Sequence, residues 1–136
     1  MSFELHDHTA DIAVEAAAGS LGATFSSVAD GLTNAQCVSV PDDGGERFPV
    51  TAQAESKEAL LFEYLSELIY RRDVRGVLPA DHAADVHWNG EWVLAGSSRA
   101  VGLGRVDARE VKAVTYSEME LEETPDGWRA YVVFDV

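Results

Sequence analysis

The stretch Leu60-Leu61-Phe62-Glu63-Tyr64-Leu65-Ser66-Glu67-Leu68-Ile69-Tyr70 decides the fold class, because its apolar residues recur at helical spacing. One face of the predicted helix carries Leu60, Leu61, Tyr64, Leu65, Leu68 and Ile69. Ser56 is suited to cap the first turn, and Gly76 and Pro79 mark the end. The stretch therefore predicts an amphipathic helix that packs one face on a core.

A second amphipathic helix is predicted nearer the start of the chain, with Ser20 as its N-cap. Its apolar residues form one stripe made of Leu21, Phe25, Val28, Ala29 and Leu32. The spacing of four, three, one and three is typical of a helix with one buried face.

In the rest of the chain, apolar and polar residues alternate with the two-residue period that is typical of β-strands. Strands are predicted at 3–5, 12–17, 48–54, 85–88, 92–95, 111–116, 119–122 and 128–136. Turn residues separate them at Pro41–Gly45, at Asn89-Gly90-Glu91 and at Pro125-Asp126-Gly127. Together these elements predict an α+β fold of two layers, in which two helices pack on a mixed, largely antiparallel sheet.

Composition narrows the kind of protein. A chain of 136 residues with 46% hydrophobic residues is expected to form a single domain, 1–136. The net charge of −14 resembles that of proteins from a salt-rich cytoplasm and disfavours direct nucleic-acid binding, which needs clustered basic residues. The single cysteine, Cys37, excludes an internal disulfide. Because no signal peptide or long apolar run is visible, we expect a cytoplasmic protein without a membrane anchor.

The two ends of the sequence suggest a metal site. Asp11 closes the polar motif Asp7-His8-Thr9-Ala10-Asp11, and Asp135 lies in the last predicted strand. If these segments pair, the two carboxylates and the main-chain carboxylate of Val136 come together. Oxygen ligands of this kind suit Ca²⁺ or Mg²⁺ better than Zn²⁺. The alternative is that these are ordinary solvated surface carboxylates.

Other candidate residues carry weaker signals. His6 and His8 could be metal ligands or a general base, or simply surface histidines, and no nucleophile-elbow motif accompanies them. Gly102-Leu103-Gly104 is too short for a dinucleotide-binding loop. Lys112 opens an apolar strand in a chain with only two lysines. It could contact phosphate or a partner's carboxylate, or it could be a strand-end lysine reaching water.

Four segments together resemble the archease family in their order and spacing. They are Asp7-His8-Thr9-Ala10-Asp11-Ile12, the helix at 60–70, the strand Val111-Lys112-Ala113-Val114-Thr115-Tyr116 and the ending Val133-Phe134-Asp135-Val136. The resemblance spans the whole chain. One departure is Ser117, where the family pattern has His or Gly, and this puts in doubt any role for a histidine at that position.

The resemblance implies a protein that is not itself an enzyme. Archeases activate the GTP-dependent tRNA-splicing RNA ligase by promoting its guanylylation and multiple turnover and by broadening its nucleotide use. By motif match, Asp11, Asp135 and Val136 fall on the family's divalent-metal site, and Lys112 falls on its functionally needed lysine. Two alternatives remain: a general chaperone or adaptor for nucleic-acid-processing proteins, and, less favoured, a small metal-dependent phosphoesterase, which would usually supply more ligands.

Overall fold

A computed structural model describes residues 2–7 and 11–136 of the chain. Its elements in order are β1 (Ser2–Asp7), β2 (Asp11–Ala18), α1 (Leu21–Gln36), β3 (Arg47–Ala54), α2 (Lys57–Arg75), β4 (Val77–Trp88), β5 (Trp92–Gly102), a short 3-10 helix (Leu103–Arg105), β6 (Ala113–Thr124) and β7 (Gly127–Asp135).

The strands form two sheets. The first sheet has the order β1-β2-β7-β6 and the second has the order β3-β5-β4. Every strand pair in the described part of the chain is antiparallel. Helix α1 packs on β2 and β4, and α2 packs on β3 and β6, so each helix contacts both sheets. The predicted α+β architecture is confirmed, with its strands divided between two antiparallel sheets where one mixed sheet was expected.

The helix boundaries follow the predicted capping residues. The Ser20 hydroxyl accepts a hydrogen bond from the Ala23 amide, and the Ser56 hydroxyl accepts one from the Ala59 amide, both at 3.1 Å. Gly76 ends α2 in the left-handed conformation at φ 65°, which favours glycine. Both predicted helices are therefore present with the expected starts.

The structure differs from the prediction just after α2. Strand β4 begins at Val77 and includes Pro79, whereas the sequence predicted a strand only at 85–88. Proline lacks an amide proton, but β4 lies at an edge of the second sheet, where one side of the strand has no partner. The proline is compatible with the strand for that reason, and the segment pairs with the end of β5.

The core lies between the sheets and the helices. Phe25, Tyr64, Leu65 and Phe134 are all fully buried there. Helix α1 lies very close to the first sheet at Gly31, where an added Cβ would stand 2.5 Å from a Val14 methyl. This close contact fixes the height of α1 above β2.

Within residues 2–7 and 11–136, neither helix combines the length and the apolar character needed to cross a lipid bilayer.

Candidate functional site

The pairing of β2 with β7 places Asp11 directly opposite Asp135. Ile12 and Phe134 form the next pair and point into the protein, where both are buried. Because side chains alternate along a strand, Asp11 and Asp135 share the face of the first sheet that points away from the helices. We call this the outer face. Residues directly opposite in an antiparallel pair lie about 4.5–5.5 Å apart at Cα.

Lys112 lies beside this pair through its main chain. Its amide donates a hydrogen bond of 2.8 Å to the carbonyl of Asp135. Strand β6 begins one residue later, because Ala113 pairs with Asp135. The exposed Lys112 side chain lines a groove against α2, on the opposite face of the sheet from the two carboxylates. The structure thus brings the three backbones together and directs their side chains to different faces.

The charges of these three residues are not neutralised within the described part of the chain. Neither Asp11 nor Asp135 forms an ion pair there, and the Lys112 ammonium has no hydrogen-bond acceptor or acidic partner among the same residues. Arg129, further along the same outer face, is very different. It donates hydrogen bonds to Glu15 at 2.7 Å, Glu120 at 2.9 Å and Glu122 at 3.2 Å. The hydrogen bonds to Glu120 and Glu15 raise the pKa of the Arg129 guanidinium further above its usual range.

Part of the predicted site lies outside the described residues. This is the case for His8, Thr9 and Ala10 and for the side chains of His6 and Asp7. Among the side chains that the structure does describe, no three His, Cys, Asp or Glu residues gather into a metal site. Of the three predicted ligands, the structure places the side chains of Asp11 and Asp135 opposite each other, and Val136 follows directly after Asp135.

Ser117, the departure from the family pattern, is exposed in β6. The pairing of β6 with β7 is interrupted between Thr115 and Glu120, so Ser117 lies in the irregular part of that strand. The bulge separates the end of β6 near Lys112 from the end near Arg129.

A groove between α2 and the start of β6 was not predicted. It has a volume of about 290 Å³ and is lined by Phe62, Ser66, Ile69, Tyr70, Asp73, Lys112, Ala113 and Val114. The sequence does carry a signal for it, because Phe62, Ser66 and Tyr70 are spaced by four and form a second stripe along α2. The stripe of α2 that faces the core is the stronger of the two and is the one that predicts the helix.

A buried polar cluster joins α1 to the second sheet. The two ring nitrogens of His82 lie 2.8 Å from the hydroxyls of Thr33 and Ser98. Burial lowers the pKa of His82 to about 3, so the ring is neutral at ordinary pH. Asp30 accepts a hydrogen bond of 3.2 Å from the His82 amide. Burial also raises the pKa of Asp30 to about 6. Both ring nitrogens of His82 are engaged, which is typical of a structural histidine.

The fold and site define an α+β protein whose first sheet ends in two opposed carboxylates. Residues 3–136 match the family described as the Archease protein family (MTH1598/TM1083). Proteins named "Protein archease" are 32% identical in Thermococcus kodakarensis, over 98% of both chains, and 31% identical in Archaeoglobus fulgidus, over the full length of both. The chain belongs to the archease family.

Solved structures agree on the fold. The solution structure of Methanobacterium thermoautotrophicum protein 1598 has a TM-score of 0.81 at 24% identity and covers 98% of each chain. The crystal structure of an archease from Thermotoga maritima, described as a possible chaperone, has a TM-score of 0.65 at 23% identity and covers 96% of this chain and 94% of that one.

Proposed function

We propose that this protein is an accessory factor that activates a GTP-dependent tRNA-splicing RNA ligase. In this role it promotes guanylylation of the ligase, allows multiple turnover and broadens the nucleotide that the ligase accepts. The protein forms no covalent bond itself. Membership of the archease family supports the proposal, and the geometry at the end of the first sheet supplies the physical argument for it.

The observation that carries the proposal is the unneutralised pair Asp11 and Asp135. Like charges directly opposite each other destabilise an antiparallel pair. A divalent cation would remove this repulsion. The donor set fits such an ion, because the two aspartates and the Val136 carboxyl group offer only oxygen ligands. Ca²⁺ or Mg²⁺ would retain further coordination positions for water or for groups of the ligase.

In the proposed role the cation would neutralise phosphate charge in the active site of the ligase. Asp11 and Asp135 hold the ion at the exposed end of the sheet, where a partner can reach it. Hydrogen bonding of the Lys112 amide to the Asp135 carbonyl fixes the start of β6 against β7. The free ammonium of Lys112 then supplies a second positive charge for the partner or its phosphate.

A second candidate is a general chaperone or adaptor for nucleic-acid-processing proteins. It is favoured by two exposed aromatic side chains, Tyr70 at 57% and Tyr116 at 49% exposure, which a client protein could cover. The relative from Thermotoga maritima is also described as a possible chaperone. A chaperone would protect many clients, whereas an activator would act on the ligase alone.

The test is an RNA ligation time course with a small amount of the cognate ligase and an excess of RNA substrate. With this protein present, we expect product to exceed the amount of ligase many times over and the guanylylated ligase to accumulate faster. Assaying the protein alone for phosphoester hydrolysis serves as the control for an enzyme. If ligation is unchanged while unrelated clients are protected from aggregation, the chaperone candidate replaces this proposal.

A further inference from the structure

A second stripe runs along α2 beside the one that faces the core; its first member, Phe62, packs against the core cluster, and its later members are exposed. Phe62, Ser66, Tyr70 and Val74 follow one another at intervals of four residues, so they form one ridge along the helix. Tyr70 is 57% exposed and Val74 is 62% exposed. Of these two, Tyr70 lines the groove that also holds Lys112.

Strand β6 forms the other wall of this groove. Val114 closes its base, and the Tyr116 ring lies 5.4 Å from the Phe62 ring. Strand β6 is an edge strand of the first sheet, so nothing in that sheet covers its outer side. The groove is therefore open along its length, and its end at Lys112 adjoins the carbonyl of Asp135.

The volume of the groove and the net charge of the whole protein indicate what occupies the groove. Its volume of about 290 Å³ is below the ~300–1,000 Å³ typical of small-molecule sites, but it suits an inserted side chain. A second copy of this chain is a poor occupant, because two molecules of net charge −14 repel each other. The same charge attracts a basic partner.

The polar groups of the groove agree with a basic partner. Asp73 lines the groove and keeps one carboxylate oxygen free, because the bonds from Arg72 both go to Oδ1. Glu63 is exposed on the next position of α2 after Phe62. Both carboxylates can accept a hydrogen bond from an arginine or lysine of the partner at the border of the apolar surface.

We propose that the groove between α2 and β6 is the docking site for an apolar side chain of the RNA ligase that is flanked by arginine or lysine. This inference rests on the proposed function and adds to it a surface separate from the carboxylate pair. The apolar part of the groove supplies binding, while Asp11, Asp135 and Lys112, the basic residue in the lining of the groove, act on the guanylylation step. Docking here brings the ligase next to Lys112.

The test compares two exposed aromatic residues. Tyr70→Ser removes the ring beside the groove, and Trp88→Ser removes a ring of similar exposure, 59%, on β4. We expect Tyr70→Ser to raise the Kd for purified ligase at least about tenfold and Trp88→Ser to change it less than about twofold. Tyr70→Phe should bind like the unmodified protein. At saturating Tyr70→Ser, the guanylylation rate should return to normal, because the carboxylate pair and Lys112 are intact.

A photo-crosslinking amino acid identifies the occupant. Placed at position 70, p-benzoylphenylalanine should crosslink to a ligase peptide that holds an apolar residue next to arginine or lysine, and placed at position 88 it should not. If Tyr70→Ser binds within twofold of the unmodified protein, or if crosslinking at 70 yields only dimers of this chain, the docking site is wrong. In that case the proposed function still stands, provided that the unmodified protein activates ligation. If the unmodified protein neither binds nor activates the ligase, both proposals fall.

Discussion

The outer face of the first sheet has two ends that treat acidic side chains differently. At one end, Arg129 binds the carboxylates of Glu15, Glu120 and Glu122. At the other end, on the same strands β2 and β7, Asp11 and Asp135 face each other with no basic partner among the described residues. The bulge in β6 lies between the two ends.

This difference separates carboxylates that are paired within the fold from carboxylates that we propose bind a cation. A protein with 24 acidic and 10 basic residues cannot neutralise every carboxylate, but it has an arginine at one end of this face. Leaving two aspartates opposed at the other end costs stability unless a cation joins them. Substitutions at the two ends should therefore have opposite effects on stability and function.

The largest effect is expected at the unpaired end. Asp11→Ala and Asp135→Ala should each reduce ligase activation by more than about 100-fold, since loss of even an outer partner of a metal ligand costs roughly 10–100-fold. The thermal midpoint without added ion should not fall and should rise slightly, because each change removes a like-charge repulsion while substitutions at the surface shift stability by less than ~0.5 kcal/mol. Ligation turnover would measure activation, and circular dichroism would measure the thermal midpoint. Calorimetry with Ca²⁺ or Mg²⁺ would report ion binding. Full activation by either variant would show that the carboxylate pair is not a metal site.

The paired end should behave in the opposite way. Arg129→Gln leaves Glu15, Glu120 and Glu122 without their shared cation, and hydrogen bonds to charged groups are worth about 1.5–3 kcal/mol. We expect a loss of about 2 kcal/mol in the free energy of unfolding, which high salt partly restores by screening the repulsion. Urea unfolding at low and high salt measures this. Activation per folded molecule should be unchanged. A loss of activation without a loss of stability would show that Arg129 has a functional role, contrary to the proposed difference between the two ends of the outer face.

Lys112 tests whether the second positive charge is separate from the ion. Lys112→Ala should reduce ligase guanylylation about tenfold and leave divalent-ion affinity nearly unchanged, because a protonated amine donates hydrogen bonds and does not ligate a cation. Lys112→Arg should rescue only part of the rate, since the flat guanidinium reaches a different point. If Lys112→Ala instead lowers the thermal midpoint with normal activation, the residue has only a structural role.

The smallest effect is expected inside the fold, at Asp30. Burial chiefly raises its pKa from 3.8 to about 6, while the His82 amide opposes the shift and the charge of Asp81 adds to it. The folded state thus holds the Asp30 proton more tightly than the unfolded chain does, so this residue contributes less stability as pH rises from about 4 to 6.

Asp30→Asn removes the buried charge and keeps an oxygen for the His82 amide. We expect about 1 kcal/mol of added stability at pH 7, well below the ~3 kcal/mol that a shift of about two pKa units would give at 1.36 kcal/mol per unit, because the residue is partly exposed. The gain should vanish near pH 4. Chemical unfolding of both proteins at the two pH values gives the difference, and an equal gain at both would show that the Asp30 charge is not the cause.

Local patterns predicted the helices and most strands because capping residues and apolar spacing lie within a few positions of each other. Ser20, Ser56 and Gly76 set the helix ends as expected. The acidic residues near the two ends of the chain already pointed to Asp11 and Asp135, and the structure pairs them as expected. The resemblance to a family added their assignment to that family's metal site, which stays a prediction. The division into two sheets was not predictable, since the partner of β2 lies at the far end of the chain. The groove beside Phe62 and Tyr70 was not predicted, because the strong apolar stripe that faces the core is enough to explain the helix and a weaker second stripe adds little to the pattern.

The distance along the chain between β2 and β7 has a consequence for the order of folding. Glu15 and Arg129, which meet across these strands, are 114 positions apart. A ribosome adds about 5–20 residues per second, so β2 waits several seconds or more before its inner partner is made. Until β7 is made, the edge of β2 that pairs with it has no strand partner. Contacts between residues so far apart in the sequence form slowly. The second sheet can form first, and the two opposed aspartates meet only as the first sheet closes, so the end of the sheet that carries them forms last.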